Sequence, residues 1–180
     1  MSNIVFNVFS DGAVFNNGYK NPDKPQFSAC GYLYCLNEKV IKEFSEPLGD
    51  QTISYAELYG MMKALKVTIE RIESLKKNKV PKPYIINVHS DSQFVIKGAS
   101  EWIYGWVRRG WRNSSGVEVA YKELWNELYN DYIMNKDYKL TFIHVKGHTK
   151  NTDFNSLMND RCDKLAVSEV TKFKVENNFK

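Results

Sequence analysis

Four acidic residues stand where chemistry could be done: Asp11, Glu57, Asp91 and Asp163. Asp11 closes an apolar run from Ile4 to Ser10, and Asp91 closes a second from Tyr84 to Ser90. Glu57 comes one residue before a helical apolar stripe begins at Leu58, and Asp163 follows Cys162 in a stretch that reads as a final helix. Each acid has an ordinary alternative. Asp11 could cap a turn, Asp91 could be the N-cap of the helix after it, and Ser54 with Glu57 fits a capping box. Asp163 could be a solvated acid beside Lys164. Two strands that both end in aspartate are harder to dismiss than one, because ligands of open α/β sheets gather beyond the carboxyl ends of the strands.

The elements that must position these acids can be read from periodicity. Ile4 to Phe9 leaves little room for a solvated face, as in a strand covered on both sides, and Gly12 is expected to turn the chain straight after Asp11. The stretch 18–27 reads as a surface loop. Ala29 to Cys35 and Val40 to Phe44 read as an antiparallel hairpin around Asn37, Glu38 and Lys39. Leu58, Met62, Leu65, Ile69 and Ile72 mark an amphipathic helix from Ser54 to about Leu75. Tyr84 to Asp91 followed by Ser92 to Lys97 reads as strand then short helix, which points to a parallel α/β element. Tyr121, Leu124, Trp125, Leu128 and Tyr132 form another helical stripe, and Tyr138 to Val145 another strand. Then come Lys146, Gly147 and His148, a polar loop, and a last helix carrying Asn159 to Ala166 with Cys162, Leu165 and Ala166 inward.

The stretch from Glu101 to Arg112 has the most unusual composition: Trp102, Trp106 and Trp111 interleave with Arg108, Arg109 and Arg112. Such a segment can be a helix burying its tryptophans, and at least one is expected in the core. It also supplies what a nucleic-acid groove needs, aromatic faces for sugars or bases beside guanidinium groups for phosphates.

Composition bounds the rest. With 180 residues, 43% hydrophobic and 26% charged, the chain fits one globular domain with a full core. The domain is expected to span 1–168, with 169–180 a C-terminal tail. A net charge of +4 argues only weakly for a polyanionic partner. Cys30, Cys35 and Cys162 lack metal-ligand spacing, and no basic leader with a long apolar run opens the chain, so a cytoplasmic, membrane-free, monomeric protein is expected.

Taken together, these residues resemble a type 1 ribonuclease H from about Val5 to Ala166. The resemblance is carried by Ser10-Asp11-Gly12, Ala56-Glu57-Leu58 and Ser90-Asp91-Ser92-Gln93. To these add Trp102-Ile103-x-x-Trp106-x-x-Arg109-Gly110-Trp111, Val145-Lys146-Gly147-His148, and Asn159-Asp160-x-x-Asp163-x-Leu165-Ala166. It implies an α/β fold with a five-stranded mixed sheet, the first strand central and helices flanking it. It further implies an endonuclease that hydrolyses the RNA strand of RNA:DNA hybrids, leaving 3′-hydroxyl and 5′-phosphate ends. By the same resemblance Asp11, Glu57, Asp91 and Asp163 hold two Mg²⁺ ions, or Mn²⁺, and His148 assists proton transfer or product release. Hard carboxylate oxygens suit these ions, whose charge would relieve the crowding of four acids. Asn17 and Gln93 match positions that touch the RNA strand, Thr52 a phosphate pocket for the DNA strand, and Trp102 and Trp106 DNA-strand contacts, with Arg108, Arg109 and Trp111 in the same binding stretch. Ile53, Ser54 and Gly105 depart from the amides that the family often places in that pocket, and the loop from His148 to Asn159 looks longer than in the commonest bacterial members. Two alternatives remain open: a non-catalytic hybrid-binding module, and another nuclease of the same fold that acts on DNA.

Overall fold

The computed structural model describes residues 3–18, 25–80, 83–147 and 152–179. In chain order they form β1 (Ile4–Phe15), β2 (Phe27–Leu36), β3 (Lys39–Gly49), α1 (Ile53–Lys77), β4 (Tyr84–Ser90), α2 (Gln93–Lys97), α3 (Ile103–Arg108), α4 (Lys122–Glu127), β5 (Tyr138–His144) and α5 (Phe154–Glu176). Wider π-type turns at Gly98–Trp102 and Leu128–Ile133 continue α2 into α3 and extend α4. The five strands form one sheet in the order β3-β2-β1-β4-β5. β1 pairs antiparallel with β2 and parallel with β4, so the expected mixed sheet with a central first strand is what forms.

Alternation along the strands separates two covered faces. Phe6, Val8, Tyr32, Tyr34, Ile86 and Val88 pack under α1 and the helical lobe that carries Trp106 and Trp125. Phe9, Leu33 and Cys35 meet Cys162 of α5 on the other face, and Ala13 and Ala29 meet Ala166 and Val170. All three cysteines are buried and unpaired.

Four local expectations are corrected. The turn expected at Gly12 does not occur, because β1 runs on to Phe15 and pairs Asp11 with Gly31 and Gly12 with Cys30. Gly12 is needed for close approach instead: a Cβ there would meet Ala56 Cβ and the Glu57 backbone nitrogen at 3.0 Å. The capping box at Ser54 does not form either. Thr52 is the N-cap of α1, its side chain accepting from the Tyr55 N–H, and Ser92 rather than Asp91 caps α2 through the Val95 N–H. Finally, the last helix begins well before Asn159. Asp153 caps it by accepting from Ser156 N–H at 3.1 Å and from Ser156 Oγ–H at 2.7 Å, so residues 154–158 are helix rather than loop. At its far end α5 continues past 168 to Glu176, and Phe173 stacks on Phe27 with ring centroids 3.9 Å apart.

The seat of α5 is Gly31. A Cβ on that residue would lie 2.2 Å from the Cys162 carbonyl oxygen and 2.7 Å from Leu165 Cβ, so helix and strand meet backbone to backbone. Gly31→Ala must therefore lift α5 from the sheet. Overpacking of this kind typically costs about 1–3 kcal/mol, and thermal unfolding should show a lowered Tm together with reduced activity as Asp163 is carried away. An unchanged Tm would mean that the helix does not rest on this glycine.

Candidate active site

The parallel pairing of β1 with β4 ends at Phe9 and His89, two residues before each strand's aspartate. Asp11 continues in register with β2, while Asp91 is the first residue beyond β4. Both acids thus stand where the central strands part company, at the carboxyl end of the parallel pair. Asp11 lies on the α5 face, as Phe9 and Ala13 do, and its cross-strand partner is Gly31. Because α5 touches the sheet at that glycine, Asp163 arrives beside Asp11. From the opposite face, the bare Cα of Gly12 lets the first turns of α1 bring in Glu57.

The charges report this convergence. Asp11 is 6% exposed, and its carboxyl is pushed up to about 8, first by burial and next by the charge of Asp91, with smaller pushes from Asp163 and Glu57. The Gly12 N–H, donating to Asp11 Oδ1 at 2.7 Å, acts the other way. Burial likewise raises Glu57, opposed by a hydrogen bond that Ser92 Oγ–H donates to Glu57 Oε2 at 2.7 Å, while Asp91 adds to the rise. Ser92 thereby links the two acids: it caps the helix after Asp91 and grips the carboxylate of Glu57.

Asp91 is also covered by the chain leaving β5. A Cβ on Gly147 would fall 2.0 Å from Asp91 Oδ2, and His144 Nε2 lies 3.1 Å from the Asp91 carbonyl oxygen. His148, the next residue after Gly147, lies outside the described residues. Among the described residues no three acidic, histidine or cysteine side chains already close around one point as a finished ligand shell. The four acids share a neighbourhood. Their oxygen donors, and a central carboxyl that burial and neighbouring charge make reluctant to ionise, fit divalent cations of the Mg²⁺ type.

The remaining sequence-chosen residues surround this point unevenly. Gln93 is exposed in the first turn of α2, two residues from Asp91, and Asn17 is exposed beyond the end of β1. Thr52 is exposed at the start of α1, with its hydroxyl sharing a hydrogen bond with the Tyr121 hydroxyl. Trp102 is 40% exposed whereas Trp106 is 8% exposed and meets Trp125 edge to face at 5.2 Å. One tryptophan is therefore core, as expected. Trp111 is half-buried at φ 64°, and Arg108 and Arg109 are exposed. Sequence reasoning missed Tyr121, which sits at φ 58° with its ring 5.6 Å from Tyr55, and Ser92. Nothing local announces a left-handed tyrosine, but a serine directly after a strand-end aspartate is itself a capping signal.

The RNase H family model matches residues 3–171 of this chain. A Geotalea uraniireducens protein named ribonuclease H is 32% identical over 167 residues, spanning 93% of this chain and 95% of the relative. The chain belongs to the RNase H family. The solved RNase H domain of PFV shares the fold at a TM-score of 0.69 and 23% identity, over 93% of this chain and 94% of that one. So does a foamy viral protease-reverse transcriptase in complex with RNA/DNA hybrid, at a TM-score of 0.65 and 23% identity, over 92% of this chain and 19% of that one. With RNase H membership comes the enzyme class, a ribonuclease and hence a phosphodiester hydrolase. Among the described residues no helix is long and apolar enough to cross a membrane.

Two outcomes follow from this geometry. The folded RNase H keeps the Asp11 proton up to pH about 8, whereas an unfolded aspartate releases it near about 4. Between those values the folded state binds more protons, so in metal-free buffer the Asp11 contribution to stability is lost as pH rises from about 4 to about 8. Melting curves across that range should fall in the parent and flatten in Asp11→Asn; equal slopes would remove Asp11 as the stressed group. Trp106→Ala should chiefly lower Tm, since emptying a core site of this size typically costs about 3–5 kcal/mol. A variant with parental Tm and weakened hybrid binding would instead make that ring a surface contact.

Proposed function

We propose that this RNase H hydrolyses the RNA strand of RNA:DNA hybrids, with Asp11, Glu57, Asp91 and Asp163 holding two Mg²⁺ ions and giving 3′-hydroxyl and 5′-phosphate products. The observation that carries this reading is the buried Asp11 carboxyl, whose ionisation is opposed by each of the other three acids. When bound, the cations would supply the positive charge that lets the buried Asp11 carboxyl ionise among the other acids and would polarise the scissile phosphate and an attacking water. The protein's own part is positional. The middle of β1 fixes Asp11 and the end of β4 fixes Asp91, Ser92 orients the Glu57 carboxylate, and the Gly31 seat fixes Asp163. The Gly12 N–H holds one Asp11 oxygen, so the other is the oxygen left to face a ligand.

In the same reading, Gln93 and Asn17 read the RNA strand, whose 2′-hydroxyl distinguishes it from DNA in the wide minor groove. Thr52 and the exposed faces of the tryptophan and arginine lobe follow the DNA strand, with Trp102 for stacking and Arg108 and Arg109 for phosphates. His148, one residue beyond the glycine that covers Asp91, serves proton transfer or product release. The protein acts in the cytoplasm, as a monomer.

The decisive assay incubates the protein with labelled RNA:DNA hybrid, duplex RNA and duplex DNA, with and without Mg²⁺. Only the hybrid should be cut, only with Mg²⁺, and only in its RNA strand; cutting of duplex DNA would favour the other nuclease reading, and binding without cutting the non-catalytic one. Asp91→Asn should abolish hydrolysis and leave Tm equal or higher in metal-free buffer, since it removes a charge from a crowded cluster. Parental activity in that variant would refute the four-carboxylate site. His148→Ala should lose rate only partially, about 10²–10⁴-fold if it moves a proton and less if it governs release. Single-turnover and steady-state rates separate those cases, and no change in either would take His148 out of the mechanism.

A further inference from the structure

The parallel pairing of β4 with β5 ends at Ser90 and His144, and the Val145 N–H extends it by donating to the Ser90 carbonyl at 3.0 Å. The next carbonyl along, that of Asp91, is met by a side chain instead: the His144 ring places Nε2 3.1 Å from it. A carbonyl oxygen can only accept, so Nε2 carries the proton, in the neutral ring and in the imidazolium alike. Asp91 O and Ser92 N belong to one peptide unit, which is flat and trans, so its carbonyl and its N–H point to opposite sides. The N–H end is held as well, because Ser92 N donates to Ser90 Oγ at 3.1 Å. With both ends pinned, the plane between Asp91 and Ser92 cannot turn without breaking one bond or the other.

Two carboxylates depend on that plane. The Asp91 side chain leaves from the Cα on one side of it. From the Cα on the other side, Ser92 Oγ–H donates to Glu57 Oε2 at 2.7 Å, and the same oxygen accepts from the Val95 N–H at 3.3 Å. A turn of the plane would therefore swing the Asp91 carboxylate and withdraw the Ser92 hydroxyl from Glu57 at the same time. His144 itself is exposed, and an exposed hydrogen bond adds little to folding stability because water can take its place. Water would satisfy the Asp91 carbonyl without fixing its direction. The ring's effect belongs to the aim of the acids rather than to the fold.

We infer that His144 is a positioning residue for the active site: by holding the Asp91 carbonyl, its ring sets how Asp91 and Glu57 are aimed relative to each other. This inference rests on the reading that these acids hold the cations, and the experiment separates the two. His144→Gln keeps a donor, since the glutamine amide nitrogen stands as many bonds from the backbone as Nε2 does. The amide of His144→Asn is too short to reach, and His144→Ala has no donor. In metal-free protein the Ser92 amide hydrogen, followed by NMR-detected exchange, should lose protection in the Ala and Asn variants and keep it in Gln. Mg²⁺ titrated calorimetrically without substrate should bind about tenfold more weakly to the Ala and Asn variants, the lower end of what outer partners of metal ligands typically contribute. At a fixed, subsaturating Mg²⁺ concentration kcat should fall in proportion, with KM for the hybrid and Tm unchanged, and Gln should restore most of the loss.

If His144→Gln and His144→Ala behave alike, the donor is not what matters and the inference is overturned. Losses in His144→Ala that come with a lowered Tm, unrestored by Gln, would also overturn it, since the ring would then serve the fold alone. A Ser92 amide that stays protected in His144→Ala sinks the inference and leaves the four-carboxylate reading standing. Parental Mg²⁺ binding by Asp91→Asn would sink that underlying reading, and the inference with it.

Discussion

A carboxyl group buried to 6% exposure in the central strand, with three other acids close enough to oppose its ionisation, is the arrangement on which the rest of this structure turns. Burial alone disfavours its charge, neighbouring charge adds to that, and the Gly12 N–H offsets them in part. Nothing in folding favours such a cluster for its own sake, since a leucine at position 11 would satisfy the sheet better. The cluster becomes reasonable only as a receptor for positive charge, and the packing around it serves to hold the acids together against their repulsion. Gly31 lets α5 touch the sheet, Gly12 lets α1 close on β1, Ser92 grips Glu57, and Gly147 leaves room over Asp91.

Three of these supports are glycines with ordinary backbone angles, and they explain what sequence reading could and could not supply. The apolar runs ending at Asp11 and Asp91 and the stripe after Glu57 were legible, because periodicity reports which side of an element is buried. Gly12 was read as a turn, the usual local meaning of glycine after a strand, and the strand went on. Its purpose is the distance to Ala56 and Glu57, residues more than forty positions away in the chain. Such distances have no local signature. The caps show the same limit in milder form: Thr52, Ser92 and Asp153 were all available as capping residues, but Ser54 and Asp91 competed on equal local terms.

The tryptophan and arginine stretch divides between core and surface within a few residues. Trp106 and Trp125 fill the space between the lobe and the sheet, while Trp102, Arg108 and Arg109 remain outside. The π-type turn at Gly98–Trp102 sits where Trp125 presses on the backbone, since a Cβ on Gly98 would lie 2.3 Å from that ring. A rigid aromatic core thus lies against Trp102, whose ring centroid is 6.0 Å from that of Trp106. Composition revealed that the segment was unusual; which rings were structural depended on packing that no spacing encodes.

The most direct measurement is a titration of the Asp11 carboxyl itself, by carbon-detected NMR on selectively labelled protein, without metal and with saturating Mg²⁺. The expected result is a metal-free pKa near 8 that falls when Mg²⁺ is added, and that falls in part in Asp91→Asn while the larger rise due to burial remains. An ordinary aspartate value near about 4 in metal-free protein, indifferent to both Mg²⁺ and Asp91, would contradict it.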